Sequence, residues 1–236
     1  MESRADIGGN LRRVRERIDA ACRRAGRDPG SVTLIAVSKK KPTEDILEAC
    51  AEGATDFGEN YVQELTEKIY VLEENEEAER IRWHMIGHLQ KNKVKALIGM
   101  TELIHSVDSI GLAEQIEKEA AKQGVIERIL LEVNIAGEES KWGFKPGEVI
   151  GAAREMLALP HVRVLGVMTS APYTEDGETN RGYFRELKAL AAEMKEKHLV
   201  CVEEPVVSMG MSCDYETAVE EGATMVRVGT EIFGER

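Results

Sequence analysis

The sequence predicts an α/β protein folded as a single (β/α)8 TIM barrel with an extra N-terminal helix. Three features carry that reading. Short β-rich runs alternate with helical runs with hardly a break, which implies parallel strands joined by right-handed crossovers. Roughly eight such units fit into 236 residues, about the length this barrel needs. No linker, low-complexity run or composition shift divides the chain, so residues 1–236 read as one domain. An open doubly wound sheet is the alternative, weakened because no strand is followed by a GxGxxG turn.

The chain opens with residues 3–26, where Ile7, Leu11, Val14, Ile18 and Cys22 fall near helical spacing among many arginines. This reads as an amphipathic helix covering the barrel bottom or a neighbouring chain, with the arginines on its wet face. The strand runs follow in order: TLIAVSK (33–39), ATDFGE (54–59), IRWHMIG (81–87), LIHSV (103–107), RILLEVNI (128–135), VRVLGVMT (162–169), PVVSMG (205–210) and MVRVG (225–229). Helical patterns separate them at 42–53, 60–74, 90–100, 109–124, 145–160, 179–197 and 213–222. Thr43 and Asp45 sit where an N-cap belongs, and Gly53, Gly124 and Gly222 where helices stop.

At 42% hydrophobic and 31% charged the composition is that of a soluble globular protein. A formal net charge of −12 argues against nucleic acid as a partner, although a few backbone amides and one cation can still make a local anion site. The start, MESRADIGGN, lacks the apolar core of a signal peptide, and no window approaches a membrane span. Cys22, Cys50, Cys201 and Cys213 are scattered without metal-type or CxxC spacing, as expected of reduced thiols in the cytoplasm. The five histidines form no metal-binding pattern.

In such a barrel, chemistry gathers at the C-terminal ends of the strands. The residues there are Ser38 and Lys39; Glu59 and Asn60; His84 and Gly87; Ser106 and Asp108; Asn134; Thr169 and Ser170; residues 208–212; and Arg227, Gly229 and Thr230. That set is unusually polar for the ends of buried strands, though Asn60 and Asp108 equally suit helix capping. The first strand runs into Lys39, Lys40 and Lys41. Strand alternation groups Ile35, Val37 and Lys39 on one side and Leu34, Ala36, Ser38 and Lys40 on the other. Lys41 precedes Pro42 and belongs to the loop. Parity alone leaves Lys39 and Lys40 as candidates for an amine at the barrel mouth.

The Ser/Gly-rich turn after the seventh strand and Gly229-Thr230 after the eighth occupy the two loops that most often bind phosphate in barrels. Small residues there let backbone N–H groups approach oxygens, and the Ser212 and Thr230 hydroxyls can add hydrogen bonds. Arg227 lies inside an apolar strand with the parity of Met225 and Gly229. It must be paired or serve a ligand if it faces inward, or snorkel among the helices if it faces out. An amine and a phosphate site on one face suit a phosphorylated carbonyl compound held as a Schiff base, either a sugar phosphate or pyridoxal 5'-phosphate (PLP).

The motifs AVSKKKP, FGENYVQE, WHMIGHLQKNK, HSVDS, VNIAGEESKWGF and SMGMSCDYETAVEEGATMVRVGTEIFG run in order over nearly the whole chain. Together they resemble the PLP-binding pyridoxal phosphate homeostasis protein family. The resemblance implies a single barrel of the alanine-racemase N-terminal-domain type, with PLP as a covalent aldimine on Lys39. It implies phosphate loops at Ser212 and at Gly229–Thr230, Ser208 among the cofactor-binding residues, and an arginine, Arg227, near the pyridine nitrogen. Asn60 and His84 would line the pocket, with Met209 and Met211 packing beside the cofactor. Cys213 departs from the usual small or polar residues of its motif, which leaves open whether a thiol sits near the cofactor, and Lys40 is a variable position.

The function so implied is intracellular PLP homeostasis. A cytoplasmic monomer would hold PLP reversibly and buffer or deliver it to PLP-dependent apo-enzymes, with little or no catalysis. An arginine cannot take the pyridine proton and so disfavours the ring form that makes PLP a strong electron sink. The alternative is an amino-acid racemase, which needs a second base across from Lys39; His84 and Cys213 are the candidates. Racemases of this type take that base from a further β domain, and the sequence stops at IFGER just past the eighth strand. A Schiff-base aldolase is a third possibility, disfavoured because VMTSAP on the sixth strand offers no lysine.

Overall fold

The computed structural model of the chain describes residues 5–235, so residues 3 and 4 of the expected first helix lie outside the described residues. The strands are β1 (Thr33–Val37), β2 (Asp56–Glu59), β3 (Arg82–Met85), β4 (Leu103–Val107), β5 (Glu127–Glu132), β6 (Val162–Met168), β7 (Val206–Ser208) and β8 (Met225–Val228). The helices are α1 (Ile7–Arg24), α2 (Thr43–Ala51), α3 (Val62–Leu72), α4 (Val94–Leu97), α5 (Ile110–Gln123), α6 (Val149–Met156), α7 (Arg181–Glu196), α8 (Tyr215–Glu220) and α9 (Thr230–Phe233). The strands close in sequence order into a parallel barrel. Closure pairs β1 with β8 and sets Ile35 opposite Arg227.

Alternation along the strands separates two layers. Ala36, Phe57, Met85, Ile104, Ile129, Val207, Val226 and Val228 pack outward against the helices in one large core. Inside the barrel the apolar filling is small: Leu103, Leu130 and Met168, with Leu165, Val206 and Met225 around them. Ile35 and Val37 of β1 also face inward, and beside them Asp56, His84, His105, Ser208 and Arg227 make a buried polar group.

Helix α1 buries Ile7, Leu11, Val14, Ile18 and Cys22, the stripe its spacing predicts. It does not cover the barrel bottom. It packs against α2, α8 and α9, filling the gap that α9 leaves in the outer ring by running only 4 residues. Its arginines reach both neighbours: Arg24 pairs with Glu216 at 2.9 Å and Glu220 at 2.7 Å and Arg17 stands 5.1 Å over the Tyr215 ring, all on α8, while Arg12 and Arg15 bind Glu52 at the end of α2.

Two local expectations are corrected. Neither Thr43 nor Asp45 caps α2; Pro42 holds the N-cap position without a side-chain bond, and Thr43 is already helical. The cause is upstream, where Lys40 takes a left-handed φ of 60° and turns the chain early. The run at 90–100 yields a 3-10 turn and then only Val94–Leu97 as α-helix. The glycine stops hold: Gly53, Gly124 and Gly222 have φ of 79°, 68° and 99°.

Candidate functional site

The three lysines separate by geometry. Val37 and Lys39 both line a cavity of about 300 Å³ at the barrel mouth, so their shared side of β1 is the inner one. Lys40 is exposed on its left-handed turn, and its N–H donates to a Glu64 carboxylate oxygen. Lys41 also borders the cavity, but its Nζ donates to the carbonyls of Phe233 at 2.8 Å, Glu235 at 3.1 Å and Gly234 at 3.2 Å. It is a cation tied to the end of α9, where the helix dipole favours one.

A buried clamp behind β1 fixes where Lys39 starts. Glu59 is fully buried, because β2 parity turns it away from the mouth and towards the helices. One of its oxygens accepts from Ser38 Oγ at 2.6 Å and from Lys68 Nζ at 2.7 Å. Lys68 Nζ also donates to the Ser38 carbonyl at 2.8 Å and to Glu64 at 2.7 Å. Burial pushes the Glu59 carboxyl up from its ordinary value, against the pull of Lys68 and Ser38.

The loops after β7 and β8 complete the wall, with Met211, Ser212, Cys213 and Asp214 from one and Gly229 and Thr230 from the other. Asp214 shapes the first loop: its carboxylate accepts from the Met211 N–H at 2.6 Å and from Asn180 at 2.8 Å. Gly210 has φ +91°, and a Cβ there would lie 2.6 Å from Ala218 Cβ, so only glycine lets the loop fold down onto α8. Asn60 lines the cavity and also an adjoining open groove of about 680 Å³ that carries Tyr61, His88 and Lys93.

Arg227 faces inward and reaches the cavity from the barrel core. Its Nη1 donates to Ser208 Oγ at 2.6 Å and its Nη2 to the Thr169 carbonyl at 2.8 Å. Both acceptors are neutral oxygens. Burial lowers its pKa to about 10, and the more distant Asp214 and Glu132 oppose that, so it stays charged at neutral pH. With Lys39 and Lys41 it makes the cavity electropositive.

Lys39, Asn60, Met211, Ser212, Arg227, Gly229 and Thr230 therefore meet on one wall. His84 and Ser208 do not reach it. Both are fully buried inside the barrel. His84 is hydrogen-bonded at both nitrogens, to Asp56 and to His105, each at 3.0 Å. Ser208 lies beneath Arg227, between it and His105. Met209 is packed in the outer core rather than beside the cavity. Sequence reasoning missed Tyr173, which lines the cavity from the loop after β6 while 81% exposed. Its only sequence signal was an aromatic residue soon after a strand end.

The sequence profile of the alanine racemase N-terminal domain family matches residues 9–236. The chain is 46% identical to the pyridoxal phosphate homeostasis protein of Aquifex aeolicus over 226 residues, covering 96% of each. It is 38% identical to the human protein of that name over 244 residues, 100% of this chain and 89% of the other. Among solved structures, PipY of Synechococcus elongatus with PLP bound superposes with a TM-score of 0.83 at 33% identity, over 97% of this chain and 100% of PipY.

Proposed function

The chain belongs to the pyridoxal phosphate homeostasis protein family, and from that premise we propose that it binds PLP at the barrel mouth and buffers or delivers it with little or no catalysis. The observation that carries this is the convergence of the Lys39 amine, one buried guanidinium and two small-residue loops on a single cavity, whose other lysine, Lys41, is tied to the carbonyls after α9. Those groups fit the aldehyde, ring nitrogen and phosphate of PLP. Asp214 is the carboxylate on the wall, and its two oxygens are already bonded to Met211 and Asn180. Among the described residues no cluster suited to a metal ion occurs, and no helix is long and apolar enough to cross a membrane.

When bound, PLP supplies an electron-poor ring and a reactive aldehyde. Lys39 would hold the cofactor through its amine, and because water reverses amine–carbonyl condensation, that hold would be reversible and the cofactor could pass to an apo-enzyme. Ser212, Gly229 and Thr230 would hold the phosphate through N–H and O–H groups. Arg227 would stand at the ring nitrogen, and a guanidinium there could not accept its proton, which would weaken the ring as an electron sink. A racemase would also need a held base on the opposite ring face. His84 is sealed in the core with both nitrogens engaged, and Cys213 and Tyr173, though they line the cavity, are exposed there and not held by packing.

Purified protein titrated with PLP is expected to gain a visible absorbance band that Lys39→Ala abolishes. Borohydride reduction and peptide mass mapping are expected to put the pyridoxyl group on Lys39. A colourless protein, or a tag on another amine, would overturn the binding reading; sustained racemisation of alanine, serine or glutamate would overturn the carrier reading.

A further inference from the structure

We propose that Asp56, His84, His105 and Ser208 form a positioning chain through the barrel interior that fixes the direction of the Arg227 guanidinium and so tunes how PLP is held. The inference rests on the PLP reading above. Each link is a direct hydrogen bond. Arg82 Nε and Nη2 donate to Asp56 at 2.9 and 2.6 Å, Asp56 meets His84 Nε2 at 3.0 Å, and His84 Nδ1 meets His105 Nε2 at 3.0 Å. His105 Nδ1 meets Ser208 Oγ at 2.9 Å, and Ser208 Oγ accepts from Arg227 Nη1 at 2.6 Å. The chain joins four strands, and His84, His105 and Ser208 in its middle have no solvent exposure.

With one proton on each imidazole, the bonds admit a single arrangement. Burial alone would raise the Asp56 carboxyl, but hydrogen bonds from His84 and Arg82 outweigh it and hold it well below the usual range, so it is an ionised acceptor. His84 Nε2–H must donate to it, which leaves Nδ1 to accept. His105 is kept neutral chiefly by burial, with the Arg227 cation adding to it, so its one proton, shared with His84 Nδ1, sits on Nε2 and its Nδ1 accepts from the Ser208 hydroxyl. The lone pairs of Ser208 Oγ are then directed at Arg227. A serine alone could rotate its hydroxyl; the carboxylate at the far end prevents that.

An apolar layer would fill this interior at less cost, since buried polar groups stabilise only when every bond is made. What the polar chain adds is orientation of one buried cation whose other partner is a single carbonyl. Neutral residues behind a first contact commonly set ligand affinity in this way. Arg227 touches the ligand; the other four act through it.

The test uses the full-length protein. Nitrogen-15 histidine NMR of the PLP-free form is expected to show the His105 proton on Nε2, and a proton on Nδ1 would overturn the proposal without any substitution. Asp56→Asn, which can offer an N–H to His84, is expected to reverse both tautomers. PLP titration of Ser208→Ala and Asp56→Asn is expected to give a dissociation constant about tenfold higher. The absorption maximum of the bound cofactor should shift as well, with Ser208→Thr restoring both. If the wild type binds PLP and both variants keep its affinity and spectrum, the chain is merely structural and the proposal falls. If the wild type itself gives no band, the PLP reading fails instead.

Discussion

Lys68→Met would break the clamp behind Lys39. It removes two charge-assisted bonds, to Glu59 and Glu64 at 2.7 Å each, and one to the Ser38 carbonyl at 2.8 Å. Glu59 keeps a single bond from Ser38 Oγ on one oxygen, while its Oε2 is already buried without a partner. Methionine matches the lysine stem in volume, so the loss is electrostatic. Stripping one partner from a buried pair costs about 3–5 kcal/mol, because an uncompensated charge remains. The Glu59 carboxyl is raised in the folded state by burial, and losing Lys68 raises it further. Protonation then relieves the variant at low pH, so the loss should be largest near pH 8 and shrink towards pH 5. Lys68→Met combined with Glu59→Gln removes both charges and should return to within about 1–2 kcal/mol of wild type. Urea unfolding of wild type, both single variants and the double at pH 8 and pH 5 measures all of this. A loss under about 1 kcal/mol at pH 8, or a double variant no better than Lys68→Met, would refute the clamp.

Two further outcomes follow from the same packing. Gly210→Ala places a Cβ 2.6 Å from Ala218 Cβ at a φ of +91°, and should lower stability by about 1–3 kcal/mol in thermal unfolding while weakening PLP uptake; wild-type behaviour would mean the loop tolerates a side chain. Glu132, on β5, has one oxygen buried without a partner, and burial with nearby Asp108 lifts its carboxyl from 4.5 to about 7 against the pull of Arg227. Its ionisation therefore costs nothing below the unfolded value, and the cost builds as pH rises to about 7, reaching about 3 kcal/mol. Glu132→Gln lacks that term, so its advantage over wild type should grow between pH 4.5 and 8; parallel pH–stability curves would reject the assignment.

The element order, the buried stripe of α1 and the polar rim of the barrel were legible in the sequence, because periodicity, capping glycines and strand alternation are local properties. Alternation also reduced the lysine triplet to Lys39 or Lys40 and tied Arg227 to Met225 and Gly229. It could not say which side of a strand was inside. Only barrel closure decided that, by setting β1 against β8 with Ile35 opposite Arg227, so that Val37 and Lys39 turn to the mouth and Ser38 and Glu59 to the helices. His84 and Ser208 read as rim residues from their place near strand ends, yet both are buried inside the barrel and bonded to interior partners rather than lining the cavity. The chain from Asp56 to Arg227 is invisible along the sequence, since its members sit on β2, β3, β4, β7 and β8 and meet only when all the strands have closed.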